Sequence, residues 1–173
     1  MIACADISLE TGISWGGQYD GRPRNMLVKL PSDEHNFDRA LAVLRSSVFA
    51  LCRVEKIEAF AVEAAMMNVD WQHSKYAAFL LVSLSAVARE AAKAAGAQII
   101  EPVAASTWRA KFLGSARGTT AELKRRAMDR NDLLGWTYQN NHNTAESNCL
   151  WGHCMALRYR HWAPNSPARR DAA

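Results

Sequence analysis

The chain of 173 residues has four cysteines (Cys4, Cys52, Cys149 and Cys154) but no C-x-x-C pair. That spacing, with Cys4 and Cys52 in apolar surroundings, favours buried reduced thiols over a disulfide framework. Cys149, His153 and Cys154 cluster near the C-terminal end, but no second ligand pair at metal spacing accompanies them, so they make a poor zinc site. There is no Gly-rich phosphate loop, no internal repeat and no heptad pattern. Long apolar runs are also missing. The longest, residues 77 to 88, is interrupted by Ser83 and Ser85 and is too short to span a bilayer. Asp6 and Glu10 break the apolar start, so it does not read as a secretory signal. The expectation is a soluble intracellular protein without a membrane partner.

What is present suits a folded domain. Hydrophobic residues make up 49% and charged residues 22%, a balance that argues against wholesale disorder. The length suits one domain with a sizeable core, over residues 1–160, followed by a Pro/Ala/Arg-rich tail (161–173) expected to be disordered. A net charge of +4 is compatible with nucleic acid or another anionic partner and diagnostic of neither.

Apolar runs bounded by turn residues predict strands over 2–5, 13–19, 26–30, 59–62 and 97–101. Helical spacing of Phe37, Leu41, Leu44, Val48 and Leu51 predicts a helix to about Val54, with its start signalled at residues 31–34. Further helices are expected over 76–95, from Ser106 towards Gly114, over 120–134, and from Asn143 or Thr144 to about Tyr159. A three-stranded meander followed by alternating helices and strands implies an α/β sandwich with a mixed sheet.

Three acids stand out within that frame. Asp6 ends the first strand and Glu63 the fourth; if these strands lie parallel and adjacent, both acids project from one sheet edge, where open α/β sheets place their sites. Glu146 lies one turn into the last helix, with His142 four and Asn143 three positions before it. Oxygen and nitrogen donors converging from two strands and a helix suit Mg²⁺ or Mn²⁺. Two such ions roughly 3.5–4 Å apart can support phosphodiester cleavage. A turn cap at Asp6 and an unrelated scatter of acids are the competing readings.

The motifs Asp6-Ile-Ser-Leu-Glu-Thr-Gly12, Ala61-Val-Glu63, Ser106-Thr-Trp-Arg-Ala-Lys-Phe-Leu-Gly114, Leu134-Gly-Trp136 and Asn143-Thr-Ala-Glu146-Ser occur in one order over nearly the whole chain. Together they resemble the RuvC family of Holliday-junction resolvases, most closely its phage and prophage members. The resemblance implies an RNase H-like fold with a mixed five-stranded sheet flanked by helices, a homodimer paired through the long helix, and Mg²⁺- or Mn²⁺-dependent nicking of four-way DNA junctions. It also implies action in a bacterial cytoplasm, by a bacterial protein or by a phage protein in its host. By position, Asp6 and Glu63 match the family's first two catalytic acids. Glu146 falls where the family usually has Asp, and the fourth ligand falls on His142 or Asn143, with His142 favoured.

The family's lysine after the glycine turn is replaced here by Thr119 and Thr120, leaving Arg109, Arg117 or Lys124 to supply the cation. Lys111 and Arg125 are further candidates for DNA phosphates, and Met66 falls at the family's apolar junction wedge. For these basic residues a solvated helix face is the alternative; for Met66 it is core or interface packing. The competing functions are a junction-binding protein with weakened catalysis, motivated by the altered last motif, and a related nuclease on other branched or RNA-containing substrates.

Overall fold

Alternation along the first strand sets the layout of the molecule. In a computed structural model describing residues 1–32, 36–64 and 75–164, β1 (Ile2–Asp6) buries Ala3 and Ala5 against one layer of helices and Ile2 and Cys4 against another. This two-sided burial is why the strand is apolar throughout rather than alternating with polar residues. It pairs antiparallel with β2 (Glu10–Gly16), which pairs antiparallel with β3 (Arg24–Lys29). On its other side β1 runs parallel to β4 (Ala59–Val62), and β4 runs parallel to the short β5 (Gln98–Ile99). The five-stranded mixed sheet therefore has the order β3-β2-β1-β4-β5.

Helix α1 (Phe37–Val54) follows β3 and α2 (Lys75–Ala94) follows β4. Their apolar stripes, including Leu44, Val48, Leu80 and Leu84, close one face of the sheet over Phe60 and Val62. The opposite face is covered by α3 (Ala105–Phe112), α4 (Thr120–Leu134) and α5 (His142–Arg158), with Trp108, Ala127, Trp136, Leu150 and Trp151 packed on Ile2, Cys4, Ala59 and Ala61. Helix α4 starts with a reciprocal capping box between Thr119 and Glu122 and stops at Gly135, whose φ of 64° is the left-handed conformation open to glycine. Beyond α5, Trp162 packs edge-on against Trp151 and its indole N–H donates to the Asp20 carbonyl, which carries the packed chain past residue 160.

Two element boundaries differ informatively from expectation. The second strand begins at Glu10 rather than Ile13, because Thr11 and Gly12 belong to the ladder and not to the turn: Gly12 lies opposite Asp6. The turn is closed earlier, by the Thr11 hydroxyl donating to the Ser8 carbonyl at 2.6 Å. The last helix starts at His142, since the side-chain oxygen of Asn141 accepts from the backbone N–H groups of Asn143 and Thr144. Helix α1 runs from Phe37 as its apolar spacing predicts, while Asp33 and Glu34 of its expected start signal lie outside the described residues. Among the described residues no helix is long and apolar enough to cross a membrane.

Candidate active site

The pleat that buries Cys4 and Ala61 on the α5 side also sends Asp6 and Glu63, two residues further along each strand, to that side. Glu63 continues the parallel pairing, its N–H bonding the Ala5 carbonyl at 3.0 Å and its backbone bridging to Val103. The two carboxylates thus leave neighbouring strands at one edge of the sheet. Glu146 comes to them from the first turns of α5, which crosses this edge.

Helix α5 is held there by close backbone contact and by buried polar bonds. A Cβ on Gly12 would overlap the Asn143 carbonyl and come within 2.8 Å of the Thr144 nitrogen, so glycine is required where the helix start crosses β2. Thr144 is fully buried, with its hydroxyl bonded to the Tyr138 and Asn141 carbonyls. One turn on, the Asn148 amide donates to Asn131 of α4 at 2.7 Å while its oxygen accepts from the Ser14 hydroxyl at 2.6 Å. Asn131 in turn donates to the Ala145 carbonyl at 3.0 Å. Satisfied buried networks of this kind fix a helix's rotation as well as its position. Here they set the direction of Glu146.

The acids have defined partners. The indole N–H of Trp108 donates to Glu63 at 2.7 Å, and Arg109 Nη2 pairs with Glu146 at 2.6 Å while lying 4.0 Å from Glu63. Glu146 is almost wholly buried, with a side-chain exposure of 4%. Burial, then the charges of Glu63 and Glu146, hold the Asp6 carboxyl well above the ordinary carboxylate range, against a smaller downward pull from Arg109 and Lys124. Burial also raises Glu63, opposed by Arg109 and the Trp108 hydrogen bond, and Glu146 adds to the rise. Three interacting carboxylates in a poorly solvated edge make a site short of positive charge.

That donor set fits a hard divalent cation: all three side chains offer oxygen, and their mutual repulsion is what a cation would relieve. Arg109 already lies between two of them. Among the described residues no three acidic, histidine or cysteine side chains converge as a finished metal cage. His142, at the start of α5, has its Nε2 2.8 Å from Lys124 Nζ. Asn143 donates its side-chain amide to the Glu10 carbonyl at 2.7 Å.

The remaining candidates spread outwards. Lys124 is near enough to Asp6 to act on its charge. Arg117 and Arg125 are exposed around the start and outer face of α4. Lys111 lines a cavity of about 460 Å³ between α3 and α4 with Phe112, Arg126 and Arg130, whose guanidinium lies over the Phe112 ring. Met66 lies outside the described residues. Cys149 faces Asn131 of α4 whereas the Cys154 thiol lies against the free thiol of Cys4 on β1, so the two thiols diverge and do not form a zinc site with His153. Sequence reasoning assigned no role to Trp108, Asn131 or Asn148. An indole at a motif position and asparagines inside helices were the available signals, but their partners are far away in sequence.

No family model matches the chain, and no curated protein matches its sequence. Solved structures do match its fold. The Thermus thermophilus RuvC structure superposes with a TM-score of 0.63 at 14% identity, covering 91% of this chain and 95% of that one. The structure of T. thermophilus RuvC in complex with Holliday junction substrate gives a TM-score of 0.64 at 15% identity, covering 92% and 95%. The five-stranded mixed sheet with helices on both faces is thus the RNase H-like fold, in the form that RuvC has.

Proposed function

We propose that the chain is a structure-selective endodeoxyribonuclease that resolves four-way (Holliday) and other branched DNA junctions by metal-dependent phosphodiester hydrolysis. The observation that carries this reading is the placement of Asp6 and Glu63 on adjacent parallel strands facing Glu146 of α5, within a RuvC-like fold. Asp6, Glu63 and Glu146 would hold Mg²⁺ or Mn²⁺, with His142 or Asn143 as the further ligand. His142 is favoured as that ligand, its imidazole nitrogen being the stronger electron-pair donor of the two. When bound, the ions supply Lewis-acid activation of water and charge stabilisation at the leaving oxygen.

The chain's own residues orient the acids and hold the DNA. Trp108 fixes Glu63 through its indole N–H. Lys124 adds positive charge beside Asp6. Arg117, Arg125 and Lys111 extend that charge along α3 and α4, where phosphates need only cations within reach. Arg109 is engaged with Glu146 and Glu63 instead, and Met66 completes the proposed DNA contacts. A homodimer paired through α2 is supported by Phe79 and Val82, exposed on one face of that helix.

The test is nicking of a mobile four-way junction with Mg²⁺ and with Mn²⁺, beside D6N and E63Q. Symmetric paired nicks that both variants lose are the expected result. Tight junction binding without cleavage under either metal leaves the second reading, a junction-binding protein with lost catalysis. The pairing of Glu146 with Arg109 favours that alternative, because it occupies one of the three acids.

A further inference from the structure

Arg109 is an unusual neighbour for a cation-binding cluster. Its Nη2 reaches Glu146 at 2.6 Å and approaches Glu63 to 4.0 Å, so one positive charge bridges acids from α5 and β4. The guanidinium lies 5.1 Å from the Trp108 ring, and the Trp108 indole holds Glu63 from the same helix. Yet the residue is incompletely anchored. Its Nε is buried and meets no acceptor, although a buried donor normally has one. A structural salt bridge gains most when its fork is fully bonded, usually through two parallel N–H···O bonds to one carboxylate. Here a single nitrogen carries the pairing.

We infer that Arg109 is a resident counter-ion of the acidic cluster, which stabilises the metal-free protein by bridging Glu146 and Glu63 and is displaced as a divalent cation binds. The inference rests on the metal-dependent reading above and adds a role for this side chain that no metal ligand fills. Both cations answer the same need, neutralising carboxylates that crowd one another. The guanidinium and the incoming ion therefore compete for Glu146, and apparent metal affinity is lowered by the fraction of molecules in which Arg109 holds it.

The test is direct Mn²⁺ titration by electron paramagnetic resonance of the free ion, with thermal unfolding in EDTA and in saturating Mn²⁺, for the wild type, R109Q and R109K. Gln keeps length and polarity and removes the charge. R109Q should bind Mn²⁺ on the order of tenfold more tightly than the wild type, a normal size for coupling between two sites. It should melt lower than the wild type in EDTA and recover most of that deficit in Mn²⁺. R109K keeps the charge without the fork and should gain affinity by a smaller factor.

Unchanged or weaker Mn²⁺ binding by R109Q overturns the inference, as does an equal loss of melting temperature with and without Mn²⁺, which marks a purely structural bridge. If R109Q folds in neither condition, R109K decides, and affinity no higher than the wild type overturns the inference. Junction nicking by the wild type separates the two claims. Cleavage with no affinity gain in the variants removes the counter-ion role alone, whereas a wild type that neither binds Mn²⁺ nor cuts removes the nuclease reading with it.

Discussion

Trp108 and Arg109 are consecutive on α3 and divide two acids between them: the indole N–H donates to Glu63 at 2.7 Å, and the guanidinium pairs with Glu146 at 2.6 Å. One short helix thereby fixes carboxylates contributed by β4 and α5. Trp108 is also fully buried, so its ring anchors that helix on the sheet while its polar edge serves the site. The substitution W108F separates these roles by keeping most of the ring and deleting the donor. A hydrogen bond to a charged group contributes about 1.5–3 kcal/mol, and a loss within that range is expected in urea denaturation. Because the indole lowers the Glu63 pKa, its removal raises it, and the acidic limb of the pH–nicking profile should move to higher pH. An unmoved limb would show that Glu63 does not depend on this donor.

Asp6 supplies a prediction about stability that runs opposite to activity. Its carboxyl titrates well above the ordinary range, so between the unfolded value, about 3.9, and the raised folded value the native state holds more protons than the unfolded one. The contribution of Asp6 to metal-free stability must then fall as pH rises through that window. D6N removes the titration and the crowded charge. In EDTA it should be more stable than the wild type at neutral pH by about 0.5–2 kcal/mol, with a flatter pH dependence, while nicking is lost. Urea unfolding of both proteins across the acid-to-neutral range checks it, and a wild type that loses no stability relative to D6N as pH rises contradicts the assignment.

Gly12 tests whether the helix start must touch the sheet. A Cβ there would press on the Asn143 carbonyl and the Thr144 nitrogen, both backbone groups that cannot rotate aside. G12A should therefore push the start of α5 away from β2, at a cost of about 1–3 kcal/mol or more. Glu146, one turn on, moves with it. Faster amide exchange at Thr144 and Ala145 and a loss of nicking larger than the loss of folded protein are expected. Normal exchange at these amides would mean that the strand yields instead.

Gly12 also marks where the sequence was legible and where it was not. The acids at the ends of β1 and β4 could be read because each follows an apolar run, and period-two alternation puts them on one face wherever the strands are parallel neighbours. Thr11 and Gly12 have turn chemistry, yet they lie in the buried ladder, since the glycine answers a helix 131 residues away and not a local bend. Local signals could not reveal that contact. The extent of α4 was legible, residues 120–134 being helical as expected, because helix start and stop signals lie within a few residues of each end. Arg109 was read as a phosphate contact on its charge alone. Its partner Glu146 lies 37 residues along the chain, and only the packing of α3 against α5 brings them together. The Ser14–Asn148–Asn131 network was hidden for the same reason, as its members come from β2, α5 and α4.

The identity of residue 146 gives the sharpest test of how the site was adapted. RuvC-like sequences usually carry the shorter Asp at the position that Glu146 matches, and here the longer side chain reaches Arg109 at 2.6 Å. Removing one methylene withdraws the carboxylate from that guanidinium while keeping its charge in a nearly closed pocket. E146D should therefore lose about 1–3 kcal/mol of metal-free stability, the cost of leaving a buried polar group poorly paired. If Glu146 and Arg109 are matched, the ligating oxygens also fall out of place and nicking drops, since ångström-scale misplacement costs on the order of 100-fold in rate. Adding R109Q to E146D should then cost less stability than the two single changes summed, because one interaction is deleted twice. A double-mutant cycle in EDTA, with junction nicking measured for all four proteins, checks both expectations. A large gain in nicking by E146D alone would instead identify Glu146 as the change that weakened a once more active site, and would favour the junction-binding reading of the present chain.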